Sequence, residues 1–223
     1  MSENPNIAAF FLEPIQGEAG VIVPPDGYLA KISEICKKHN VLLMADEIQA
    51  GLGRAGYLLG HHYEPECKPD VITVSKSLAG GIMPYSAIYF NDEIADVMGV
   101  GSHGSTWVNN PMGAAVATAA LKVIVNEKLS ENSAILGKLF EEKTEHLKKK
   151  MIVKDLRGRG LFRSFEFNPG VTGKDFALKA FEKHKMLVRY HGQCLRLLPP
   201  LTINSAQLEN IIGICEDVID ELS

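Results

Sequence analysis

The sequence has no long hydrophobic run, no excess of positive charge and no apolar strand run that leads directly into a glycine-rich phosphate loop, and each absence argues against a class of protein. No apolar stretch approaches the roughly 20 residues that a membrane-spanning helix needs. Lysine and arginine number 23 against 27 acidic residues, a formal net charge of −4, whereas a nucleic-acid or anionic-membrane partner requires a basic surface. The pattern GxGxxG occurs at 51–56 and at 99–104, but neither match directly follows an apolar strand run, and no GKS/T occurs, which disfavours a nucleotide-binding doubly wound domain. We therefore expect no nucleic-acid partner and no membrane partner.

Cysteine is also scarce, and its four positions, 36, 67, 194 and 215, form no CxxC pair. The first residues, MSENPNIAAFF, have no basic n-region and no small-residue cleavage site, and they lack the Arg/Ser-rich character of a transit peptide. Without a signal for secretion, free thiols are expected rather than disulfides. The sequence predicts a cytoplasmic compartment and leaves the mitochondrial matrix open.

Short apolar runs alternate with helical patterns in the first half of the chain. The runs cover residues 7–12, 41–45, 71–74 and 87–90. Continuous apolar strands that are separated by helices and bounded by turns are typical of a parallel sheet buried on both faces. The first half therefore predicts an α/β domain.

The second half is richer in helix signals. Asn110 followed by Pro111 predicts a helix start, and Ser130 predicts the cap of a second helix that reaches the lysine run at 148–150. Capping-box patterns begin at Thr172 and Asn204 and predict two further helices.

Strand-like pieces in the second half lie at 161–167 and 194–198. Together with the shift in composition near residues 110–130, they predict two domains. The first would cover residues 1–115 and the second, a smaller α+β domain, residues 116–223.

Three polar residues, Glu13, Asp46 and Lys76, stand where apolar strands end. In open parallel sheets, ligands bind beyond the carboxyl ends of the strands. An acid that keeps a ring nitrogen protonated and an amine that condenses with an aldehyde are what a pyridine-ring cofactor requires. A strand-end lysine is partly desolvated, which favours its reactive neutral amine. Each residue alone is more commonly a cap, a turn residue or a solvated surface group.

The segments around these residues resemble those of class III aminotransferases, in that family's order and spacing. They are EPIQGE at 13–18, ADEIQ at 45–49 followed by Gly51 and Arg54, SK at 75–76 followed by LAGG, and HGST at 103–106 with Asn110-Pro111. Downstream, RGRGL at 157–161 and LRLLPPL at 195–201 are similar to the family's small-domain signatures. The resemblance covers essentially the whole chain, and within the family it is greatest to the ornithine aminotransferases.

The resemblance implies a fold type I pyridoxal-phosphate enzyme, with a mostly parallel sheet truncated at its N-terminus and a smaller C-terminal domain. Lys76 would hold pyridoxal 5′-phosphate and move a proton during the reaction. Asp46 would pair with the ring nitrogen. Gln49 would bond the phenolic oxygen, and Ile48 would pack against the ring face.

The resemblance also assigns the phosphate of the cofactor to Ser105 and Thr106. In this family the two residues reach into the neighbouring subunit's site, which implies a homodimer or a larger assembly. Residues 107–109, Trp-Val-Asn, replace an aromatic residue and two glycines of the family. The replacement removes the residues that adopt positive φ most readily. A second departure is Tyr85, a bulkier residue than the family's valine or isoleucine.

Glu18 and Arg196 would recognise the substrate. Arg196 would bind a substrate carboxylate through a bidentate pair. Glu18 would cover Arg196 while a diamine-like amino acid binds by its terminal amine, and would swing away for glutamate or 2-oxoglutarate. The implied reaction moves the δ-amino group of ornithine to 2-oxoglutarate, which gives glutamate 5-semialdehyde and glutamate. The alternative to this role is that Glu18 is a solvated acidic residue of a loop, without a function in substrate binding.

Other interpretations stay open. The chain resembles acetylornithine and 4-aminobutyrate aminotransferases and glutamate-1-semialdehyde aminomutases in the same motifs. It could also be a non-catalytic fragment that needs a partner chain, because relatives carry a long segment before the position of residue 1. A sheet without its first strands is expected to expose edges and apolar surface. His61-His62 matches no structural zinc spacing, so no metal is expected.

Overall fold

The computed structural model describes residues 6–223, and residues 1–5, the start of the segment searched for a signal peptide, lie outside the described residues. The chain divides into two compact units. The first unit contains the described residues up to Pro14, then Pro24–Leu52 and Leu59–Lys128. The second unit contains Ile15–Val23, Gly53–Leu58 and Leu129–Ser223. The domain boundary predicted near residue 115 stays a prediction.

The first unit contains a four-stranded sheet in the order β1-β2-β3-β4. Its strands are β1 (Ala9–Leu12), β2 (Leu42–Asp46), β3 (Val71–Val74) and β4 (Ala87–Phe90). β1, β2 and β3 pair in parallel, which confirms a mostly parallel sheet, but β4 is antiparallel to β3. The parallel direction expected for β4 is wrong, because the connection from β3 contains only the 3-10 helix Lys76–Ala79 and no crossover α-helix.

Burial of this sheet on both faces, also expected, is wrong for β1 and β4 in the described chain. Leu43, Ala45 and Val74 are buried in the central strands. In contrast, Phe11 in β1 is 57% exposed and Tyr89 in β4 is 52% exposed. The exposed apolar surface that was expected of this sheet is therefore present.

The helices of the first unit are α1 (Tyr28–Lys38), α2 (Asp92–Asp96) and α3 (Pro111–Asn126). α3 begins as predicted, with the Asn110 side chain accepting a hydrogen bond from the backbone N–H of Met112 at 3.0 Å. The carboxylate of Glu64 accepts bonds from the N–H groups of Gly27 at 2.9 Å and Ala30 at 2.8 Å, and so caps α1 from a distant loop.

The second unit contains an antiparallel sheet in the order β5-β6-β8-β7. Its strands are β5 (Val153–Arg159), β6 (Phe162–Phe167), β7 (Arg189–His191) and β8 (Cys194–Leu197). β6 and β8 match the predicted strands, whereas β5 and β7 were not predicted. One face of the sheet is apolar and carries Phe165 and Leu195, both 0% exposed.

Three helices complete the second unit: α4 (Leu129–Thr144), α5 (Gly173–His184) and α6 (Ser205–Leu222). The capping boxes at Thr172 and Asn204 are confirmed. The prediction that Ser130 caps α4 is wrong, because Leu129 is already helical. All four cysteines of the chain are buried free thiols. Among residues 6–223, no helix is long and apolar enough to cross a membrane.

Candidate active site

Asp46 lies at the carboxyl end of β2 and is in register with Thr73 of β3. Residues in register on parallel strands point to the same face of a sheet, so the carboxylate and the Thr73 hydroxyl share one face. One Asp46 oxygen, Oδ1, accepts the backbone N–H of Ile48 at 3.0 Å. This bond orients the carboxylate and leaves Oδ2 without a hydrogen bond in the part of the chain that the structure describes.

Lys76 follows β3 and has a backbone φ of 46°. A non-glycine residue in this left-handed region is strained, and such residues cluster at functional sites. Other described residues, such as Lys128 and the helix cap Lys185, adopt the same conformation, so it supports a functional role of Lys76 only together with the motif around it. Lys76 is exposed among the described residues, and the partial desolvation expected of it stays a prediction.

Glu47, directly after Asp46, is a buried residue that the sequence analysis missed. Its carboxylate oxygen Oε2 accepts the N–H of Gly60 at 2.6 Å, and Oε1 accepts the N–H of His61 at 2.8 Å. Oε1 also lies 2.7 Å from Nδ1 of His61. Glu47 thereby fixes the start of the loop that carries Ile48 and Gln49.

The close approach of Glu47 explains why positions 51 and 60 are glycine. A Cβ atom on Gly60 would lie 2.8 Å from Oε2 of Glu47, and one on Gly51 would lie 3.0 Å from the same oxygen. His61, considered above for a metal site, is instead a partner of Glu47. Alternation of side chains along a strand is the sequence signal that could have indicated that Glu47 points away from Asp46.

Ser105 and Thr106 are exposed and lie before α3. The structure joins neither of them to Asp46 by a hydrogen bond within residues 6–223. Nearby, Asn109 has a φ of 56°, so the left-handed conformation occurs here at asparagine, which tolerates it better than most residues do. The Tyr85 ring packs against Gly113 of α3, where a Cβ atom would lie 2.4 Å from the ring. Gly113 therefore accommodates the bulkier Tyr85.

The sheet end in the first unit fits a pyridinium ring. The Thr73 hydroxyl is buried and has no hydrogen-bond partner among the described residues. Buried polar groups are normally satisfied, so an unpaired hydroxyl in register with Asp46 indicates a polar group that belongs beside it. The open oxygen of Asp46 is an acceptor suited to a ring N–H.

The second unit brings Glu18 and Arg196 together. The Arg196 guanidinium donates to both carboxylate oxygens of Glu18, at 2.9 Å and 2.8 Å. It also donates to the backbone oxygen of Gly17 at 3.2 Å. The Arg196 side chain is 2% exposed, whereas that of Glu18 is 63% exposed. A buried cation is therefore paired with an anion on a solvent-exposed loop.

Arg196, the arginine predicted to bind the substrate, lies on the same face of the sheet as a second arginine, Arg157. Arg157 of β5 is opposite Ser164 of β6, and Ser164 is opposite Arg196 of β8. Directly opposite residues of antiparallel strands share a face, so the three side chains leave the same side of the sheet. Arg157 also contacts the segment that carries Glu18, donating from Nε to the backbone oxygen of Gly20 at 3.0 Å.

Known proteins resemble this chain in sequence and in fold. The sequence matches the family described as Aminotransferase class-III over residues 1–219. It is 48% identical to the ornithine aminotransferase of Plasmodium yoelii yoelii over 220 residues, which covers 97% of this chain and 52% of that protein. The ornithine delta-aminotransferase of Plasmodium falciparum superposes with a TM-score of 0.94 at 44% identity, covering 99% of this chain and 57% of that one.

An acetylornithine aminotransferase from Elizabethkingia anophelis is also similar, with a TM-score of 0.92 at 43% identity, and the match covers 99% of this chain and 56% of that one. These likenesses confirm the predicted fold class. The chain spans about half the length of the curated relatives that it matches, 52% in each of two malarial cases.

Proposed function

The chain belongs to the class III aminotransferases, which depend on pyridoxal phosphate, and on that premise we propose that it carries part of an ornithine δ-aminotransferase. The reaction would move the δ-amino group of ornithine to 2-oxoglutarate and yield glutamate 5-semialdehyde and glutamate. Its substrates are then a small amino acid and a small 2-oxo acid. The observation that carries the proposal is the pair of Glu18 with the buried Arg196.

The first unit would hold the cofactor. When bound, pyridoxal phosphate supplies an electron sink for the carbon that loses its proton. Asp46 would accept the ring N–H and keep that nitrogen protonated. Lys76 would bind the cofactor covalently, and its amine would then carry a proton to and from the substrate carbon. The strained backbone of Lys76 supports this role, as does the unpaired Thr73 hydroxyl in register with Asp46.

The remaining cofactor contacts follow the motifs. Gln49 would donate to the phenolic oxygen and Ile48 would pack on the ring face, both from the loop that Glu47 anchors. Ser105 and Thr106 would bind the phosphate. Their hydroxyls lie exposed, which suits residues that contribute to the site of a neighbouring subunit.

The second unit would select substrates by charge. Removing the partner of a buried cation typically costs about 3–5 kcal/mol, so Arg196 needs an anion at all times. Glu18 supplies that anion when the substrate offers none. Because Glu18 is on an exposed loop, a substrate carboxylate can replace it. One site can thus accept ornithine by its terminal amine in one half-reaction and a dicarboxylate in the other.

Replacing Glu18 tests this selection. In the full-length protein we expect Glu18→Ala to lower KM for 2-oxoglutarate and to lower kcat/KM for ornithine, because an uncovered Arg196 captures the ornithine carboxylate in the wrong orientation. The ratio of kcat/KM for 2-oxoglutarate to kcat/KM for ornithine should rise by about tenfold, a smaller effect than the loss of a fully buried ion pair because Glu18 is exposed. Glu18→Gln is the matched control that keeps shape and loses charge. Single-turnover half-reactions with an unchanged ratio would contradict the proposal.

Acetylornithine transamination is the second candidate, favoured by the similarity to the Elizabethkingia anophelis enzyme. Initial rates with ornithine and with N-acetylornithine separate the two. A preference for ornithine supports the first candidate, and a preference for the acetylated substrate supports the second.

A homodimer and a cytoplasmic location, with the mitochondrial matrix as the alternative, are part of the same proposal. The exposed Trp107, next to Thr106, supports an interface at the phosphate-binding segment. Sedimentation of the full-length protein would show whether it is a monomer. Imaging of the tagged protein would show its compartment.

A further inference from the structure

The segment Ile15–Val23, which carries Glu18, adopts a conformation that its own sequence does not favour. Backbone bonds close it on itself, from Gln16 N to Ile22 O at 3.0 Å and from Ile22 N to Gln16 O at 2.9 Å. Inside this closure, Val21 has a φ of 55° and is 0% exposed. A β-branched residue in the left-handed region is strained. Contacts from outside the segment must therefore hold it in place.

Two arginines of the sheet supply such contacts. Arg196 bonds to Gly17 and Glu18, and Arg157 donates from Nε to the backbone oxygen of Gly20 at 3.0 Å. The approach at Gly20 is close, because a Cβ atom there would lie 2.7 Å from Sγ of Cys194 and 3.1 Å from Nη2 of Arg157. The segment is thus attached to the sheet on both sides of Glu18.

Arg157 is a rigid donor at this point. Its Nη1 atom bonds to Asp155 at 2.9 Å and to Glu166 at 2.6 Å, while Nη2 lies 3.5 Å from Sγ of Cys194. Burial opposes the charge on Arg157, but the hydrogen bonds to Asp155 and Glu166 outweigh it and raise its pKa. A charged, planar guanidinium fixed at one end presents its Nε in one direction only.

We propose that Arg157 is a positioning residue for the Glu18–Arg196 pair, and that its bond to Gly20 holds the segment where Glu18 covers Arg196. Arg157 does not touch the substrate in this account. It sets how strongly a dicarboxylate must compete to displace Glu18. The inference rests on the proposed function, because it concerns the substrate selection assigned to that pair.

The consequence is a change in selectivity rather than a general loss of activity. Without the bond from Arg157, the segment leaves the sheet more readily and Arg196 is uncovered more of the time. Dicarboxylates then bind more tightly, and ornithine competes less well for its productive orientation. In Arg157→Gln we expect KM for 2-oxoglutarate to fall and KM for ornithine to rise, each by about three- to tenfold, the shift expected from one lost hydrogen bond. kcat should change little.

Arg157→Gln, Glu18→Ala and the double variant are compared in the full-length protein with its cofactor. Glutarate, a dicarboxylate without a reactive carbonyl, is the binding probe, and hydrogen exchange of residues 15–23 reports the segment directly. We expect Arg157→Gln to tighten glutarate binding and speed this exchange, and to have no further effect on glutarate binding once Glu18 is alanine.

Arg163→Gln is the matched control. Arg163 also donates to backbone oxygens, those of Gly160 and Gly137, but it leaves the opposite face of the sheet. It should lower stability without changing the preference between substrates. If Arg157→Gln does not fold, Arg157→Lys keeps the positive charge but removes the Nε donor to Gly20, and it should give the same shift in glutarate binding.

The outcomes separate the two ideas. If Glu18→Ala changes glutarate binding and neither Arg157→Gln nor Arg157→Lys does, the inference about Arg157 is wrong while the proposed function stands. If Glu18→Ala itself leaves glutarate binding unchanged, the proposed substrate selection fails. An equal effect of Arg157→Gln with and without Glu18 would also overturn the inference, since it would show a purely structural role.

Discussion

The two units of the chain differ in how much of their apolar surface is covered. In the second unit, helices cover the apolar face of the sheet and bury large side chains such as Phe140, Phe165 and Phe176. In the first unit, the sheet leaves Phe11 and Tyr89 more than half exposed. A sheet stabilises a protein only where its apolar faces are buried. With respect to its sheet, the second unit is therefore closed, although side chains elsewhere in it such as Leu187 are exposed, and the first unit is open.

The candidate residues of the two units differ in the same way. Arg196 and Glu18, in the closed unit, already form a complete ion pair. Lys76, Ser105 and Thr106, in the open unit, lie exposed. The residues proposed to bind a carboxylate are thus paired within their unit, whereas Lys76, Ser105 and Thr106, proposed to bind the cofactor, lie on exposed surface.

Truncation of a buried aromatic side chain should show the difference in burial between the two sheets most strongly. In the 223-residue chain, Phe165→Ala should cost about 3–5 kcal/mol of unfolding free energy, because it opens a cavity at a residue that is 0% exposed. Phe11→Ala should change it by only about 0.5 kcal/mol, as an exposed substitution does. Urea unfolding of both variants measures the costs. Equal costs would break the comparison, since they would show that Phe11 is covered.

A smaller effect is expected at Glu47, the best-buried polar residue of the open unit. Glu47→Ala leaves the backbone N–H groups of Gly60 and His61 without their acceptor, at a cost of about 1–3 kcal/mol. Glu66→Ala, at an exposed position in the same unit, is the matched control and should be nearly neutral. Thermal unfolding of the two variants checks this. A neutral Glu47→Ala would mean that the loop after β2 is not held by this carboxylate.

Strand and cap positions were predictable where local chemistry determines them. β3 and β4 are apolar runs bounded by turn residues, and Asn204 and Thr172 are capping residues. In each case a few neighbouring residues determine the local structure. β5 was missed because its polar residues and a bulge between Val153 and Asp155 break the alternation of side chains.

The direction of β4 was not predictable in the same way, because an apolar run has the same composition in a parallel and in an antiparallel strand. The motifs gave Lys76, Asp46, Glu18 and Arg196 as candidate residues, and their roles stay predictions.

Two residues that anchor segments within their own units, Glu47 and Arg157, were missed for a physical reason. Glu47 and Arg157 bond to backbone groups far away in sequence, those of Gly60 and Gly20. Backbone donors and acceptors are the same at every position, so a sequence carries no sign of which one a side chain will reach. Only the folded chain shows these contacts.

The central claim is that Lys76 holds the cofactor, and covalent trapping tests it most directly. The full-length protein is mixed with pyridoxal phosphate and reduced with borohydride, and modified lysines are mapped by mass spectrometry. Lys76→Ala is the matched control. The account predicts stoichiometric labelling confined to Lys76 and lost in the variant. Labelling spread over other lysines, or persisting in Lys76→Ala, would contradict it.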